Sequence, residues 1–246
     1  MSGWVLKGIS TGIKTTAYPH RSESAAGVTP GLPVGGEFGA EAARLAQRCP
    51  VHALEEARGA VSVNYRRCVH CYRCVRGAAR PIAWKTDYEW AGLAGEVRTG
   101  DAFGQPFSHS IHILVVDAGD CGACLNEVKQ LNNPYYNMHR LGFFITPTPR
   151  HADVLLIVGA LTDHMRVALR KTYEAMPTPK RVLAVGACAL SGGVFADSFV
   201  CAPGATDLLP IDVEVPGNPP PPLAILHGLL VAVGRKSPAS LVSAPP

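Results

Sequence analysis

The residues with the clearest chemical meaning are the cysteines, of which the chain has eight. Three of them, Cys68, Cys71 and Cys74, are separated by two residues each, and Cys49 lies upstream in a Cys-Pro pair. Such a triplet forms a tight loop whose thiolates converge, and a remote Cys-Pro supplies the fourth ligand of a cluster. The spacing therefore predicts one [4Fe–4S] cluster bound by these four residues.

The segments CPVHAL and VSVNYRRCVHCYRC resemble the second cluster motif of bacterial ferredoxins, in which the Cys-Pro precedes the triplet. The other motif of such a ferredoxin is missing, because residues 31–48 contain no cysteine and Ala78 and Ala79 stand where a Cys-Pro would follow. Zinc is the alternative metal, although its sites usually combine two C-x2-C units or Cys and His. His70, between two of the cysteines, is expected to be a surface residue.

A second group of cysteines follows two apolar runs. Cys121 and Cys124 come directly after the run ending at Asp117, and Cys188 follows the run RVLAVGA. A C-x2-C at the start of a helix could be a redox dithiol, because a helix N-terminus lowers the pKa of a thiol. The carboxyl ends of parallel strands meet at one edge of a sheet, so all three cysteines are expected together, which favours a metal site.

The stretch from TPRHADVLLIVGA to VGACALSGGVFADSF resembles the small subunit of group 4, energy-converting [NiFe]-hydrogenases, including formate hydrogenlyase, and the homologous subunit of respiratory complex I. The resemblance covers residues 110–235. It implies a flavodoxin-like domain and a [4Fe–4S] cluster held by Cys121, Cys124 and Cys188, next to a catalytic or quinone site on a large partner subunit. The separated C-x2-C resembles the hydrogenase branch, since complex I homologues have adjacent cysteines there.

The fourth ligand in that family lies in a segment VPGCPP, which reads VPGNPP here, with Asn218 at the cysteine position. An amide oxygen is a poorer iron ligand than a thiolate. Three outcomes are open: Cys201 replaces the missing cysteine, the cluster keeps Asn218 or water as a ligand, or the site holds a three-iron cluster or none. A buried Cys201 with no metal role is the simpler interpretation of that residue.

Three acidic residues flank the second group of cysteines. Glu127 is on the same helix face as Cys124, and the resemblance implies a position near the large-subunit interface. A stabilising interaction with the helix dipole is an equal alternative. Asp117 and Asp120 are expected to cap the cysteine loop.

Composition narrows the function classes. The 246 residues are 47% hydrophobic and 17% charged, with a net charge of +4. The sequence has no basic block with interleaved aromatic residues, which is the pattern typical of nucleic-acid binding. The chain lacks P-loop and dinucleotide fingerprints, so no nucleotide cofactor is expected. It has no apolar run long enough to span a membrane and no recognisable signal peptide. We therefore expect a cytoplasmic protein whose cysteines are metal ligands rather than disulfides.

The pattern of apolar and turn-forming residues divides the chain into five parts: an N-terminal amphipathic arm and linker over 1–38, a small ferredoxin-like domain over 39–85, a linker over 86–108, an α/β domain with a doubly wound parallel sheet over 109–235, and a disordered tail over 236–246. Strands are predicted at 110–117, 152–159 and 181–187, and helices at 122–132, 163–176 and 221–234. The arm, WVLKGISTGIKTTAYP, resembles that of the polyferredoxin subunit of the same complexes. It is expected to lie on a membrane, on a partner or on its own domain.

Together these features predict an iron–sulfur electron-transfer subunit of a membrane-associated complex of the hydrogenase or NADH:quinone oxidoreductase type. A large catalytic subunit and membrane-arm subunits are the expected partners, and this chain would hold no complete active site. One alternative is a structural subunit that has lost the cluster of its large domain. A weaker alternative is a zinc-stabilised interaction module.

Overall fold

The computed structural model describes residues 3–22, 29–95, 109–196 and 198–243. The helices in these ranges are α1 (Gly3–Thr11), α2 (Ala42–Gln47), α3 (Ala123–Gln130), α4 (Asp163–Ala175), α5 (Ala187–Ser191) and α6 (Pro222–Ala232). The strands are β1 (Leu32–Pro33), β2 (Gly36–Glu37), β3 (Leu54–Ala57), β4 (Ala60–Asn64), β5 (Trp84–Lys85), β6 (Gly92–Leu93), β7 (Ile111–Asp117), β8 (Phe143–Ile145), β9 (Val154–Val158), β10 (Arg181–Val185), β11 (Val213–Val215) and β12 (Val242–Ser243).

The larger part of the protein is a six-stranded sheet in the order β6-β11-β10-β9-β7-β8. All neighbouring pairs are parallel except β6 and β11. Numbered along the chain, the five parallel strands have the order 2-1-3-4-5, which is that of the flavodoxin-like doubly wound fold. The α/β fold class expected from the sequence is confirmed, as are the strands predicted at 110–117, 152–159 and 181–187.

The central strands are continuously apolar because helices cover both faces of the sheet. Along β9, Val154, Leu156 and Val158 belong to the core that α6 and the start of α3 complete. The alternate residues Leu155 and Ile157 face the core on the side of α4. Strand side chains point alternately to the two faces, so burial on both sides requires an unbroken apolar run. α6 is buried along its whole length, and this explains its uniformly apolar sequence.

A smaller unit precedes this sheet. Strand β4 pairs with β3 along one edge and with β2 and β12 along the other, always antiparallel. Its apolar face and α2 form a core separate from those of the large sheet: Phe38, Ala42, Leu45, Leu54, Val61, Val63 and Ile82. A short antiparallel pair, β1 with β5, lies beside it.

Three segments expected to be irregular contribute strands instead. The first linker contains β1 and β2, and the second provides β6, which pairs with β11. Residues 236–243, expected to be disordered, end in β12 on the edge of the small sheet, with Leu241 buried. Strands of two residues are too short to show a periodic pattern in sequence. The remaining parts of the second linker and the tail, 96–108 and 244–246, lie outside the described residues.

Helix α1 has no buried residue, and its apolar side chains Trp4 and Ile9 are 78% and 70% exposed. The helical part of the arm is therefore not packed on its own domain, whereas Tyr18, at the end of the arm, is 1% exposed and belongs to the core of the large sheet. Among the helices of the described ranges, none combines the length and apolar character needed to cross a membrane.

Candidate functional site

The cysteines of the first site come from two places in the small unit. Cys49 follows the end of α2, where Pro50 prevents the helix from continuing, and Cys68, Cys71 and Cys74 lie on the loop after β4. All four line one cavity, together with Val69, Tyr72 and Trp84. The structure thus brings the four residues that the sequence singled out to the wall of a single cavity.

Left-handed backbone conformations occur on both segments that carry these cysteines. His52, His70 and Tyr72 have φ of 50°, 51° and 59°, and they account for three of the five non-glycine residues with positive φ in the described ranges. Each such residue costs about 1–3 kcal/mol and persists only where the surroundings enforce it. Strain of this kind clusters at functional sites, and here all three residues lie close in sequence to the site's cysteines.

Two buried ring nitrogens lie beside the cavity. Trp84 stacks on Tyr72 with ring centroids 4.2 Å apart and meets His70 edge-on at 5.7 Å. Among the described residues, the buried Nε1 of Trp84 and Nε2 of His70 make no hydrogen bond of good geometry, although the indole N–H lies close enough to Cys74 to oppose the rise in the pKa of its thiol. Burial lowers the pKa of His70 to about 4, so its ring is neutral at pH 7. His70 is therefore half-buried, with its Nε2 covered, and is not the surface residue expected from the sequence.

Two of the thiols at this cavity, those of Cys68 and Cys74, are poorly solvated. Burial raises the pKa of Cys68 to about 12. It also raises the pKa of Cys74, against the opposing effect of the Trp84 indole N–H. Without a positive partner these thiols stay protonated at pH 7, and a bound metal is the usual means by which buried thiolates are stabilised.

The second group of cysteines lies at the carboxyl edge of the large sheet. Cys121 and Cys124 follow β7, next to the point where the strand order reverses, and Cys188 is on α5 after β10. Burial raises the pKa of Cys124, and Asp120 and Cys188 add to this effect. Cys188 is shifted in the same direction by burial and then by Cys121. The three thiols therefore lie close enough to influence one another.

The backbone around these thiols is closely packed. Gly186 has a φ of 90°, and a Cβ there would lie 2.5 Å from Sγ of Cys124. The expected caps are confirmed, since Oδ1 of Asp117 accepts from the N–H of Gly119 at 2.8 Å, and Oδ2 of Asp120 accepts from the N–H of Leu125 at 3.0 Å. These contacts fix the loop that carries Cys121.

The two candidates for a fourth ligand have different surroundings. Cys201 forms an isolated antiparallel bridge with Thr162 and contributes, more weakly than Cys121, to the raised pKa of Cys188. Asn218 follows β11, and its Nδ2 donates to the carbonyl of Val69 at 3.1 Å. Its amide nitrogen is thus occupied by the loop of the first site. In the described ranges, no three or more His, Cys, Asp and Glu side chains are arranged so that they could hold a metal ion.

Glu127 is half-buried on α3, one turn beyond Cys124, and burial raises the pKa of its carboxyl group. It therefore retains a proton to higher pH than a solvated glutamate does. The structure contains no partner chain, so the interface expected at this residue stays a prediction.

Polar contacts that the sequence analysis did not single out join the two sites. Nε of Arg66 pairs with Oε2 of Glu214 on β11, whose side chain is 3% exposed. Oγ of Ser191 donates to the carbonyl of Arg66 at 3.0 Å. With the bond between Asn218 and Val69, these contacts fasten the first cysteine loop to the edge of the large sheet. The sequence signal for this interface is Glu214 itself, because a charged residue within the apolar run VEV indicates a buried polar contact.

Comparison with known proteins matches residues 121–232 to the family described as NADH ubiquinone oxidoreductase, 20 Kd subunit. The chain is 40% identical to formate hydrogenlyase subunit 7 of Escherichia coli over 51% of this chain and 49% of that protein. It is 44% identical to an NADH-quinone oxidoreductase subunit of Carboxydothermus hydrogenoformans over 44% of this chain and 65% of that protein. The matches thus span about half and just under two thirds of these two relatives.

A third relative is matched over more of its length. The chain is 40% identical to the probable membrane-bound hydrogenase subunit mbhJ of Pyrococcus furiosus over 50% of this chain and 74% of that protein. A chain in the structure of the membrane-bound sulfane sulfur reductase, an archaeal respiratory membrane complex, aligns with a TM-score of 0.48 and 30% identity over 52% of this chain and 71% of that one. The match to the Pyrococcus relative and the family match over residues 121–232 show that the chain belongs to the family of the 20 kDa subunit of NADH:ubiquinone oxidoreductase.

Proposed function

We propose that this chain is an iron–sulfur electron-transfer subunit of an oxidoreductase complex. The observation that carries the proposal is the cavity of the first site, which all four predicted cysteine ligands line. Family membership adds support, because the relatives are named as subunits of formate hydrogenlyase, an NADH-quinone oxidoreductase and a membrane-bound hydrogenase.

The residues of the first site fit a [4Fe–4S] cluster. Cys49, Cys68, Cys71 and Cys74 would supply four thiolates spread around a polynuclear core, which does not require them to converge on a single ion. The indole N–H of Trp84, which already acts on the thiol of Cys74, would have a sulfur acceptor at such a site. The stacked rings of Tyr72 and Trp84 would keep water away. When bound, a cluster of this type supplies a one-electron carrier.

At the second site, Cys121, Cys124 and Cys188 would be the protein's thiolate ligands. Cys121 and Cys124, after β7, and Cys188, on α5, would place three thiolates around a cluster, and Cys201 is the candidate for a fourth thiolate. Asn218 is the other candidate from the sequence. Its Nδ2 donates to the carbonyl of Val69, and only its Oδ1 would serve as a ligand.

The partners follow from the same proposal. A large hydrogenase-like catalytic subunit would meet the edge of the sheet that carries Cys121 and Glu127, and membrane-arm subunits would bind the assembly on the cytoplasmic face of the membrane. The exposed apolar side of α1, with Trp4 and Ile9, offers a surface for such an association. Residues 39–85 would act as a half-ferredoxin with one cluster, and this chain would hold no complete active site of its own.

Iron and acid-labile sulfide analysis of the purified full-length chain, with EPR of the reduced protein, tests the proposal. Two intact clusters give about eight irons per chain, since each [4Fe–4S] cluster holds four. The change Cys71→Ser should remove the signal of the first site, while the conservative change Ser240→Ala, at an exposed position, should leave both signals intact. Stoichiometric zinc with no iron would contradict the proposal.

A second candidate function is supported by the position of Asn218. If the amide serves only as a structural contact and no other residue replaces the missing thiolate, the large domain would be a scaffold that has lost its cluster. About four irons per chain, all lost in the Cys71→Ser variant, would favour this alternative.

A further inference from the structure

A short bonded route connects the two cysteine sites, and Asn218 is at its centre. The N–H of Ala187, which precedes Cys188, donates to the carbonyl of Gly217 at 2.8 Å. Gly217 is joined covalently to Asn218, whose Nδ2 donates at 3.1 Å to the carbonyl of Val69, the residue after Cys68. Two hydrogen bonds therefore complete an otherwise covalent path from Cys188 to Cys68.

The orientation of the Asn218 amide is fixed by its partner. A carbonyl oxygen can only accept, so the amide must present its NH2 group to Val69, because the flipped amide would bring two oxygens together. Val69 and Cys68 are buried, at 8% and 9% exposure, which shields this bond from competing water. A cysteine at position 218 would offer only a weak S–H donor for the same carbonyl.

The backbone on the other side of the route is equally constrained. Gly217 has a φ of 144°, and a Cβ there would lie 2.5 Å from Cα of Pro220. The carbonyl of Gly217 accepts from the N–H of Ala187, and this hydrogen bond holds the segment after β11 against the start of α5. Asn218 thus projects from a rigid base.

We propose that Asn218 is a positioning residue that couples the two cysteine sites electronically, and not a ligand of the second one. The proposal rests on the proposed function. One electron leaves one site, which is oxidised, and enters the other, which is reduced. No bond forms or breaks and no proton is transferred.

The test compares the full-length chain with its Asn218→Leu variant, which has a side chain of similar size and no donor. Ser191→Ala is the matched control, because it removes another contact between the sites, the bond to the carbonyl of Arg66, and leaves the route through Asn218 intact. Asn132→Asp controls for a substitution at an exposed asparagine beyond α3. For each protein we measure the iron and sulfide content and the reduction potential of each site. We also measure the rate of electron exchange between the sites after flash photoreduction, using rapid-freeze EPR.

The expected result is a several-fold slower exchange in Asn218→Leu at unchanged iron content, with both controls close to the unaltered chain. An unchanged rate in a chain with two loaded sites overturns this inference and leaves the proposed function standing. Loss of iron from the second site alone in Asn218→Leu identifies Asn218 as a ligand and also overturns it. Iron at fewer than two sites in the unaltered chain overturns both the coupling and the two-cluster form of the proposed function.

Discussion

The ion pair between Arg66 and Glu214 gives the most direct test of how the two units are joined. Glu214 lies within β11, and its side chain is 3% exposed while that of Arg66 is 31% exposed. Removing one partner of a buried pair costs about 3–5 kcal/mol because the other charge stays buried without compensation. Since water reaches part of Arg66 and already weakens the pair, we expect Arg66→Met to lower the free energy of unfolding by about 3 kcal/mol, at the lower end of that range.

The pH dependence of this loss has a definite sign. Burial raises the pKa of Glu214 above its ordinary value, and Arg66 opposes the shift. The folded state therefore holds a proton at pH values where the unfolded chain has lost it, so this group's contribution to stability falls as pH rises from the unfolded to the folded pKa. Without Arg66, the pKa of Glu214 in the folded protein rises further, so the pH range over which this group loses stability becomes wider. The difference between Arg66→Met and the unaltered chain should accordingly be larger at pH 8 than at pH 5.

The measurement is urea unfolding followed by circular dichroism at both pH values, for the single variants Arg66→Met and Glu214→Gln and for the double variant. Glu214→Gln removes the buried charge and leaves Arg66 able to reach water, so a loss of only about 1 kcal/mol is expected. The double variant should be more stable than Arg66→Met. A loss below about 1 kcal/mol in Arg66→Met, equal at pH 5 and pH 8, would refute the reasoning, because Glu214 would then not depend on its partner.

Further predictions concern the metal sites and the large domain. Trp84→Phe should lower the reduction potential of the first site by about 20–40 mV. The variant loses an N–H to sulfur hydrogen bond of about 0.5–1 kcal/mol, and this bond favours the more negative reduced state. Potentiometry monitored by EPR measures the shift, and an unchanged potential would count against an indole donor. Cys201→Ala should alter the EPR signal of the second site and leave that of the first as it is, whereas identical spectra would exclude Cys201 as a ligand. His227→Leu should lower the free energy of unfolding at pH 7.5 by about 1–3 kcal/mol, because the N–H of Ala91 loses the Nδ1 acceptor that it reaches at 3.1 Å. Burial lowers the pKa of His227, so the stability that this residue contributes is present above its pKa in the unfolded chain and is lost as the pH falls through its pKa in the folded protein. In urea titrations, the stability of the variant should therefore change less with pH below pH 7 than that of the unaltered chain. Parallel pH profiles would rule this out.

The sequence predicts well what periodicity and spacing encode. The strands β7, β9 and β10 are apolar runs long enough to stand out, and α4 is an amphipathic helix with a clear start at Asp163. The cysteine spacing likewise identifies residues that line one cavity in the structure. These are local features, because neighbouring residues create the pattern that reveals them.

Contacts between distant residues are harder to predict. The edge strand β6 has two residues, and its pairing with β11 depends on tertiary packing and not on propensity. Trp84 reaches the cysteine cavity from β5, and Asn218 meets Val69 across 149 positions. The family resemblance that marks Asn218 as a lost ligand carries no information about the carbonyl that its amide contacts.

The position of β12 has a consequence for biosynthesis. Oγ of Ser243 accepts from the N–H of Gly35 at 3.0 Å across 208 positions, and the carbonyl of Leu241 accepts from the N–H of Tyr65. On the ribosome, the small sheet therefore emerges early but lacks its last strand until residue 243 has left the exit tunnel. Domains generally fold as units during synthesis, with the N-terminal one first. Here, the nascent unit that carries Cys68 cannot pair β4 with β12 before the α/β domain between them has been translated, so this unit completes its sheet only after a segment that follows it in the chain.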